Sequence, residues 1–207
     1  MRICDIKPAK LHFNEVSLSN GEKFLLDKDV CAEQSLMSDM EIDPDFLEEL
    51  KFQSDYVRAK SRALWYLDRM DYSEKALYEK LVLKGFDKKA SSAVVAKLVE
   101  LGLLNDRRYA EHLAVKLAEQ GNSKRAALQK MLSKGVTYDL AKEVLSETET
   151  DEVSKILALI EKKYSEKLKD PENFQKVYAA LVRRGFSYGD VKTALKKYKE
   201  DLEFSEE

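Results

Sequence analysis

The sequence predicts a mainly α-helical protein: an elongated tandem array of three three-helix modules, preceded by a small N-terminal β-hairpin with helices. The first observation behind this prediction is a repeat. The stretches KLVLKGF, KMLSKGV and LVRRGFS place Gly85, Gly135 and Gly185 fifty residues apart. The second is composition, since 36% of the 207 residues are charged and there are only seven glycines and three prolines. Such a chain suits a helix-rich fold, and a regular period of this length is typical of repeat architectures.

The helix that ends at each glycine carries its apolar residues in four aligned columns. Positions separated by one, four and five residues form a single broad stripe on an α-helix, so we predict that these columns face the core. The members are Leu77, Tyr78, Leu81 and Val82 in the first copy, Ala127, Leu128, Met131 and Leu132 in the second, and Val177, Tyr178, Leu181 and Val182 in the third.

Each glycine is expected to end its helix in the left-handed conformation, which glycine adopts without a side-chain clash. The next residue is apolar in all three copies and is expected to pack back onto the helix. The residue after that has a side-chain oxygen that can cap the following helix. These pairs are Phe86 with Asp87, Val136 with Thr137, and Phe186 with Ser187. Each copy is therefore predicted to contain a tight helical corner.

A further helix is expected before each corner helix, because two short helices bury too little surface to hold together. The candidates are residues 56 to 69, 107 to 119 and 152 to 168. Their predicted inward residues are Ala63, Leu64 and Leu67, then Leu113, Ala114 and Leu117, then Ile156, Leu159 and Ile160. Ser73 and Ser123 are predicted to cap the middle helices. In the third copy two starts remain open: Asp170 with Pro171, or Asn173.

The first 55 residues differ in kind from the repeats. Asn20-Gly21 predicts a two-residue hairpin turn within EVSLSNGEKFLL, with Val16 and Leu18 on one face of the hairpin. Two helices are expected after it, over residues 27 to 37 and 44 to 52. The second could also continue into residue 56 with a kink.

The predicted organisation has five parts. They are an N-terminal segment (1–55), three three-helix repeats (56–102, 103–148 and 149–199) and an acidic tail (200–207) that is expected to be disordered. Charge is uneven along the chain. Residues 1–55 carry 6 basic and 13 acidic side chains (−7), residues 56–146 carry 18 and 11 (+7), and the remainder carries 12 and 14 (−2). The basic middle points to a negatively charged partner.

Basic residues of this middle region are the candidate contacts for a partner or for DNA. They are Arg69, Lys84, Arg107, Arg108, Lys124, Arg125, Lys130 and Lys134. A solvated helix face is the competing interpretation, and a cation at position 84 or 134 would also stabilise the negative end of its helix dipole. Trp65 is predicted to be packed rather than to stack on a base.

A catalytic or metal-dependent function is not predicted. His12 and His112 lie in no catalytic motif, and there is neither a phosphate-binding glycine loop nor a GxSxG sequence. Cys4 and Cys31 lack the paired spacing of a zinc site and are expected to be buried, reduced thiols. No apolar run approaches the roughly 20 residues that cross a bilayer, and the start lacks the apolar core of a signal peptide. We therefore expect a cytoplasmic protein without a cofactor.

Three stretches resemble sequence patterns of the bacterial RecX family of recombination regulators. They are SEKALYEKLVLKGF at 73–86, GLLNDRRYA at 102–110 and GNSKRAALQKMLSKGV at 121–136. The resemblance is strongest over residues 57 to 146 and weaker over the third repeat and the N-terminal hairpin.

The resemblance implies a fold of tandem three-helix modules and a role that is not enzymatic. It implies that the protein binds the RecA recombinase filament on single-stranded DNA, lies in the helical groove of the filament, and suppresses ATP hydrolysis and strand exchange. The protein would act as a monomer and away from membranes. The alternative from another class is a helical-repeat protein that binds nucleic acid independently of RecA.

Overall fold

The computed structural model describes residues 1–147 and 151–205 of the chain, which divides into two compact units, Met1–Asn105 and Asp106–Glu207. The first unit contains strands β1 (Ile3–Pro8), β2 (Phe13–Leu18) and β3 (Lys23–Asp27), and helices α1 (Lys28–Glu33), α2 (Pro44–Leu67), α3 (Glu74–Leu83) and α4 (Lys88–Glu100). The second contains α5 (Asp106–Glu119), α6 (Lys124–Ser133), α7 (Tyr138–Glu147), α8 (Glu152–Lys163), α9 (Ser165–Leu168), α10 (Phe174–Arg183) and α11 (Tyr188–Ser205). No helix in the described ranges is long and apolar enough to cross a membrane.

The predicted hairpin is confirmed, but it belongs to a three-stranded antiparallel sheet of order β1-β2-β3. Val16 and Leu18 are buried on one face, as expected. The turn differs from the prediction, because Ser17 pairs with Lys23 and the Leu18 N–H donates to the Glu22 carbonyl at 2.9 Å. Gly21 alone has a positive φ in this turn, so the loop has three residues rather than the two of an Asn-Gly turn. Strand β1 was not predicted, because a register shift after Ile3 interrupts its alternation.

Helix α2 is a continuous helix of 24 residues, so the alternative in which the second helix continues into residue 56 is the one observed. Asp43 begins it by accepting a hydrogen bond from the Phe46 N–H at 2.7 Å, and Pro44 occupies its first position. Leu47 and Leu50, in its first half, are buried against the sheet, and its second half contributes to the next core. The expected boundary between residues 55 and 56 therefore lies inside this helix.

The three predicted corners are confirmed. Gly85, Gly135 and Gly185 have φ values of 91°, 89° and 89°. In the first corner the Phe86 N–H donates to the Leu81 carbonyl, and in the second the Val136 N–H donates to the Met131 carbonyl. These are the bonds that satisfy helix carbonyls after a left-handed residue. Of the four predicted columns, the first and third are buried in every copy and the other two are half-buried.

The predicted serine caps are confirmed, and the third copy combines the two starts that the sequence left open. Ser73 accepts from the Ala76 N–H and Ser123 from the Ala126 N–H. In the third copy a 3₁₀ turn, Pro171–Asn173, precedes α10, and Asp170 accepts from the Glu172 N–H at 2.9 Å. Asn173 makes no side-chain capping bond. The 3₁₀ turn therefore begins at Asp170 and Pro171, whereas α10 itself begins after Asn173, in register with the other copies.

Each module has its own hydrophobic core. The three cores centre on Ala63, Leu77 and Leu98 in the first module, on Ala114, Met131 and Val144 in the second, and on Ile156, Leu181 and Ala194 in the third. Mainly helical modules of three helices are thus confirmed, with α9 as a short addition to the third. The N-terminal sheet, α1 and the start of α2 enclose a fourth core.

Two predictions about the first module are wrong. Leu64 and Trp65 were expected to be packed, but 41% and 45% of their surfaces are exposed. Ala63 is buried as predicted, together with Ala59 and Tyr66, and the three are spaced by four and three residues. Because each helical residue turns by about 100°, a core-facing stripe through 59, 63 and 66 directs positions 64 and 65 away from the core.

The remaining outcomes concern cysteines and chain segments. Cys31 is buried, and burial raises the pKa of its thiol, but Cys4 is exposed, contrary to expectation. Cys4 follows the buried Ile3, and neighbouring strand residues point to opposite faces.

Helix α11 continues to Ser205, so most of the expected disordered tail is helical, and residues 206–207 lie outside the described ranges. The expected boundary between residues 148 and 149 also lies outside them.

Candidate functional site

The eight basic residues predicted to contact a partner are spread over both compact units. Arg69 and Lys84 belong to Met1–Asn105, and the other six belong to Asp106–Glu207. Several of the eight already make specific contacts inside their own unit, described below. Their common binding role stays a prediction.

Arg107 is the most heavily engaged of the eight. From α5 its Nε donates to Glu111 at 3.0 Å, while Nη1 and Nη2 donate to Glu143 and Glu147 on α7 at 2.7 and 2.8 Å. The hydrogen bonds that the guanidinium donates to Glu143 and Glu147 raise its pKa further above its ordinary value. Arg107 therefore connects α5 to α7, and an anionic partner would have to compete with three carboxylates for it.

Lys130 and Lys124 are also tied to their surroundings. The Lys130 Nζ donates to Asn122 Oδ1 at 2.7 Å, and the buried Asn122 in turn donates to the Leu117 carbonyl. This chain of bonds holds the turn between α5 and α6. The backbone N–H of Lys124 lies 3.4 Å from Glu152 Oε1 at the start of α8, so the first turn of α6 adjoins the third module.

Four further candidates have exposed side chains. They are Lys84 in the first unit and Arg108, Arg125 and Lys134 in the second. Lys84 and Lys134 are the C-cap residues of α3 and α6, where a cation stabilises the negative end of the helix dipole. Arg184, at the equivalent place in the third copy, instead turns its Nη1 toward the carbonyl oxygens of Gln120 and Gly121, at 3.0 and 3.4 Å.

A surface that sequence reasoning missed lies on α2. Arg58, Arg62, Trp65 and Arg69 are spaced by four, three and four residues in RAKSRALWYLDR, and we call them the Arg–Trp stripe. This spacing places side chains on one helix face, and it was the sequence feature that could have revealed the surface. The guanidinium carbon of Arg69 lies 3.6 Å from the Trp65 ring centroid, and that of Arg62 lies 5.3 Å away.

The stripe borders an open groove of about 650 Å³, which we call the α2 groove. The turn between β1 and β2, helix α2 and the corner after α3 form its walls. Aromatic rings of Phe13, Trp65 and Phe86 contribute to the lining. The complete lining is Leu11, His12, Phe13, Asp27, Asp29, Val57, Arg58, Ser61, Arg62, Trp65 and Phe86.

Arg58 has a structural role in this groove. Its guanidinium carbon lies 4.6 Å from the Phe13 ring centroid and 5.5 Å from that of Phe86, and its Nη1 bonds Asp55 Oδ1 at 2.9 Å. The other Asp55 oxygen accepts the Asp87 N–H at 3.1 Å. Arg58 thus joins the sheet to the first corner through two cation–π contacts and an ion pair. Arg62 and Arg69, by contrast, are exposed.

The chemistry available on these surfaces is binding of anionic or aromatic groups. Among the described residues no group of three or more histidine, cysteine, aspartate or glutamate side chains is placed to hold a metal ion. Guanidinium groups beside a half-exposed indole can bind phosphate or carboxylate together with a planar ring.

Comparisons with known proteins bear on the family. A sequence model of the first three-helix domain of RecX matches residues 59–98, and one of the third three-helix domain matches residues 149–195. "Regulatory protein RecX" of Clostridium perfringens (strain 13 / Type A) is 30% identical over 195 residues, which are 90% of this chain and 91% of the relative. The chain belongs to the RecX family. The RecX protein of Clostridium tetani (strain Massachusetts / E88) is 27% identical over 95% of this chain and 94% of its own length.

Solved RecX structures agree with this assignment. The crystal structure of RecX from Lactobacillus salivarius superposes with a TM-score of 0.60 and 25% identity, covering 69% of this chain and 96% of that chain. Another crystal structure of regulatory protein RecX gives a TM-score of 0.64 at 19% identity, covering 94% and 98%, and shares the fold. The predicted family resemblance is confirmed, including over the third repeat, where the sequence patterns were weaker.

Proposed function

We propose that this RecX-family protein regulates the RecA recombinase by binding the RecA filament on single-stranded DNA. The protein would occupy the helical groove of the filament and lower ATP hydrolysis and strand exchange. The observation that carries the proposal is the match to RecX proteins named as regulators over nine-tenths of the chain. Such a role would place the protein in the cytoplasm, acting as a monomer.

The repeated modules suit a partner that is itself repetitive. The second and third modules carry the same group at one equivalent position, since Tyr138 and Tyr188 are both exposed at the first residue of the helix after a corner. A filament offers equivalent surfaces on successive subunits. Each further module that binds would do so at a high effective concentration, because the modules belong to one chain.

Inhibition that does not involve catalysis by the regulator has to come from selective binding. A ligand shifts a two-state equilibrium only by its difference in affinity for the two states. The protein would therefore bind a filament state that hydrolyses ATP slowly more tightly than the active state. Exposed Lys84 and Arg125, with Arg108 and Lys134, would face acidic or phosphate groups, and the acidic first 55 residues would disfavour wrong orientations.

The direct test is a titration of DNA-dependent ATP hydrolysis by RecA on single strands. The rate is expected to fall as the protein approaches stoichiometry with the filament, and to recover with salt because ionic contacts to the filament weaken. Lys84→Glu with Arg125→Glu should raise the concentration needed for half-inhibition. An unchanged RecA turnover at saturating protein would refute the proposal.

A second candidate function is binding of single-stranded nucleic acid without RecA. The half-exposed Trp65 between two arginines favours it, because aromatic rings with cationic neighbours bind single strands. This candidate requires salt-sensitive binding to a bare strand. If no such binding is detected at low salt without recombinase, the candidate fails.

A further inference from the structure

We infer that the Arg–Trp stripe is a binding site for single-stranded nucleic acid, with a base stacked on Trp65 and phosphates held by Arg62 and Arg69. This inference extends the proposed function. It rests on that function only for where the single strand comes from in the cell, because binding of the strand itself does not require RecA. It concerns the first compact unit, and the stripe precedes the three stretches, 73–86, 102–110 and 121–136, in which the family resemblance was recognised.

The exposed indole is the central observation. Trp65 is the only tryptophan of the chain, and 45% of its surface is accessible although it belongs to a helix with a packed face. Arg69 lies over its ring at 3.6 Å and also donates to its carbonyl oxygen at 2.9 Å, so Arg69 holds the ring from one side. Trp65 and Arg62 both line the α2 groove, whereas Arg69 does not, so the groove is where a base would enter.

The charges are arranged so that an anion can reach them. Arg62 has no carboxylate partner among the described residues, and Arg69 meets Asp68 only at 3.7 Å, with both side chains at least half exposed. The lining contains two acids: the buried Asp27 accepts the Asp29 N–H and caps α1, and Asp29 is exposed in the first turn of that helix. Exposed pairs of this kind contribute little, so a phosphate can replace Asp68.

The dimensions fit a short strand. Arg62 and Arg69 are seven residues apart on α2, but their guanidinium carbons lie 5.3 and 3.6 Å from the same Trp65 ring centroid, so they can hold the phosphates on either side of a single base stacked there. An acidic peptide would satisfy the arginines but would supply no planar ring for the indole. Stacking on an aromatic ring together with phosphate contacts is the usual mode of single-strand binding. The observations therefore favour a nucleic-acid strand over a peptide.

Leu11 provides an independent observation at the same place. It lies in the turn between β1 and β2, lines the α2 groove, and is 83% exposed with a φ of 61°. A leucine with positive φ is uncommon and costs conformational energy. Leu11 therefore combines an unfavourable backbone conformation with an apolar side chain exposed to water at the edge of the groove. It is placed to contact a second base.

The test uses Trp65 itself as the probe. Titration of the full-length protein with a fifteen-residue oligothymidylate, without recombinase and at low salt, should quench the tryptophan emission. Arg62→Gln with Arg69→Gln should weaken binding by about tenfold or more and lower the slope of log affinity against log salt by about one to two. Trp65→Phe should weaken binding of a fluorescently labelled strand several-fold. Lys75→Gln, which removes an exposed charge of α3 outside the stripe, should leave binding unchanged.

Each other outcome decides against the inference. A bound strand that leaves the emission unchanged would mean that Trp65 does not touch it. Equal quenching by polyglutamate of the same charge would mean that the surface recognises an acidic peptide or charge alone. Failure here is distinguishable from failure of the proposed function, because a protein that inhibits RecA without quenching refutes only the stacking site. A protein that quenches without inhibiting refutes only the RecA role.

Discussion

Gly185 approaches Ser123 so closely that a β-carbon added to the glycine would lie 2.6 Å from the Ser123 hydroxyl oxygen. The Ser123 N–H also lies 3.3 Å from the Arg184 carbonyl, and Arg184 donates to the Gln120 carbonyl. The corner of the third module therefore packs on the first turn of α6 in the second. A glycine is needed at position 185 because the backbone there has a positive φ, and also because a β-carbon would not fit against Ser123.

Gly185→Ala is expected to destabilise the protein more than Gly85→Ala. Both glycines have φ near 90°, so both variants lose about 1–2 kcal/mol to left-handed strain. A β-carbon at Gly85 meets nothing within 4 Å, whereas one at Gly185 also lies 2.9 Å from the Ala126 β-carbon. Overpacking should add about 1–3 kcal/mol to the loss at Gly185. Chemical denaturation followed by circular dichroism measures both, and equal losses would contradict the close packing.

Gly135→Val tests the corner of the second module. A β-branched residue strongly resists the left-handed conformation that Gly135 adopts at φ 89°. The free energy of unfolding is expected to fall by at least about 1 kcal/mol. Ser133→Val, at an exposed position of the preceding helix, is a control for the β-branched side chain and should cost less. A melting temperature unchanged by Gly135→Val would refute the corner assignment.

The corners could be predicted from the sequence because their determinants are local. A glycine, the apolar residue after it and a capping side chain lie within three residues of one another, and a fifty-residue period repeats them. The packing of Gly185 on Ser123 joins residues 62 positions apart and leaves no periodic trace. The prediction for Trp65 failed for a related reason. Tryptophan is usually largely buried, but the exposure of position 65 depends on which face of α2 packs against the core.

Arg107→Gln is expected to lower the melting temperature of the second unit. The variant removes the ion pairs from α5 to Glu143 and Glu147 on α7, and leaves those two carboxylates without their shared cation. High salt should weaken the same contacts and reduce the difference between variant and parent. Lys116→Gln is the matched control, because Lys116 is exposed on α5 and has no ion pair among the described residues.

This result would also change how the basic residues are tested as a partner site. Charge reversal of Arg107, Arg108, Lys124 and Arg125 together would test the predicted partner site, but reversal at Arg107 also breaks its ion pairs with Glu143 and Glu147. The sequence could not show that Arg107 meets Glu143, because the two are 36 residues apart and no periodic pattern links them. If Arg107→Gln melts like the parent protein, the bridge from α5 to α7 contributes nothing measurable, and a charge-reversal variant that includes Arg107 can be used as a binding test.

Asp87 offers a test that depends on pH. Its carboxylate accepts hydrogen bonds from the N–H groups of Lys89 and Ala90 at 2.7 and 3.0 Å. These bonds hold its pKa below the ordinary 3.8, and the bond from Ala90 makes the largest contribution to that lowering. A carboxyl with a lowered folded pKa contributes stability above its unfolded pKa and loses it as the pH falls through the folded value. Asp87→Ala should therefore cost about 1 kcal/mol near about pH 7 and progressively less below about pH 4.

Asp87→Asn separates the two parts of this contribution. Asparagine keeps an oxygen that can cap α4 but has no charge, so its loss near neutral pH should be smaller than that of Asp87→Ala. The comparison with the parent is made by denaturant unfolding at a series of pH values. The gap between parent and Asp87→Asn should close as the parent carboxyl becomes protonated, while the gap between Asp87→Asn and Asp87→Ala should persist. A parent-to-alanine difference that stayed constant down to about pH 2 would show that the charge of Asp87 contributes nothing and that its geometry alone caps the helix.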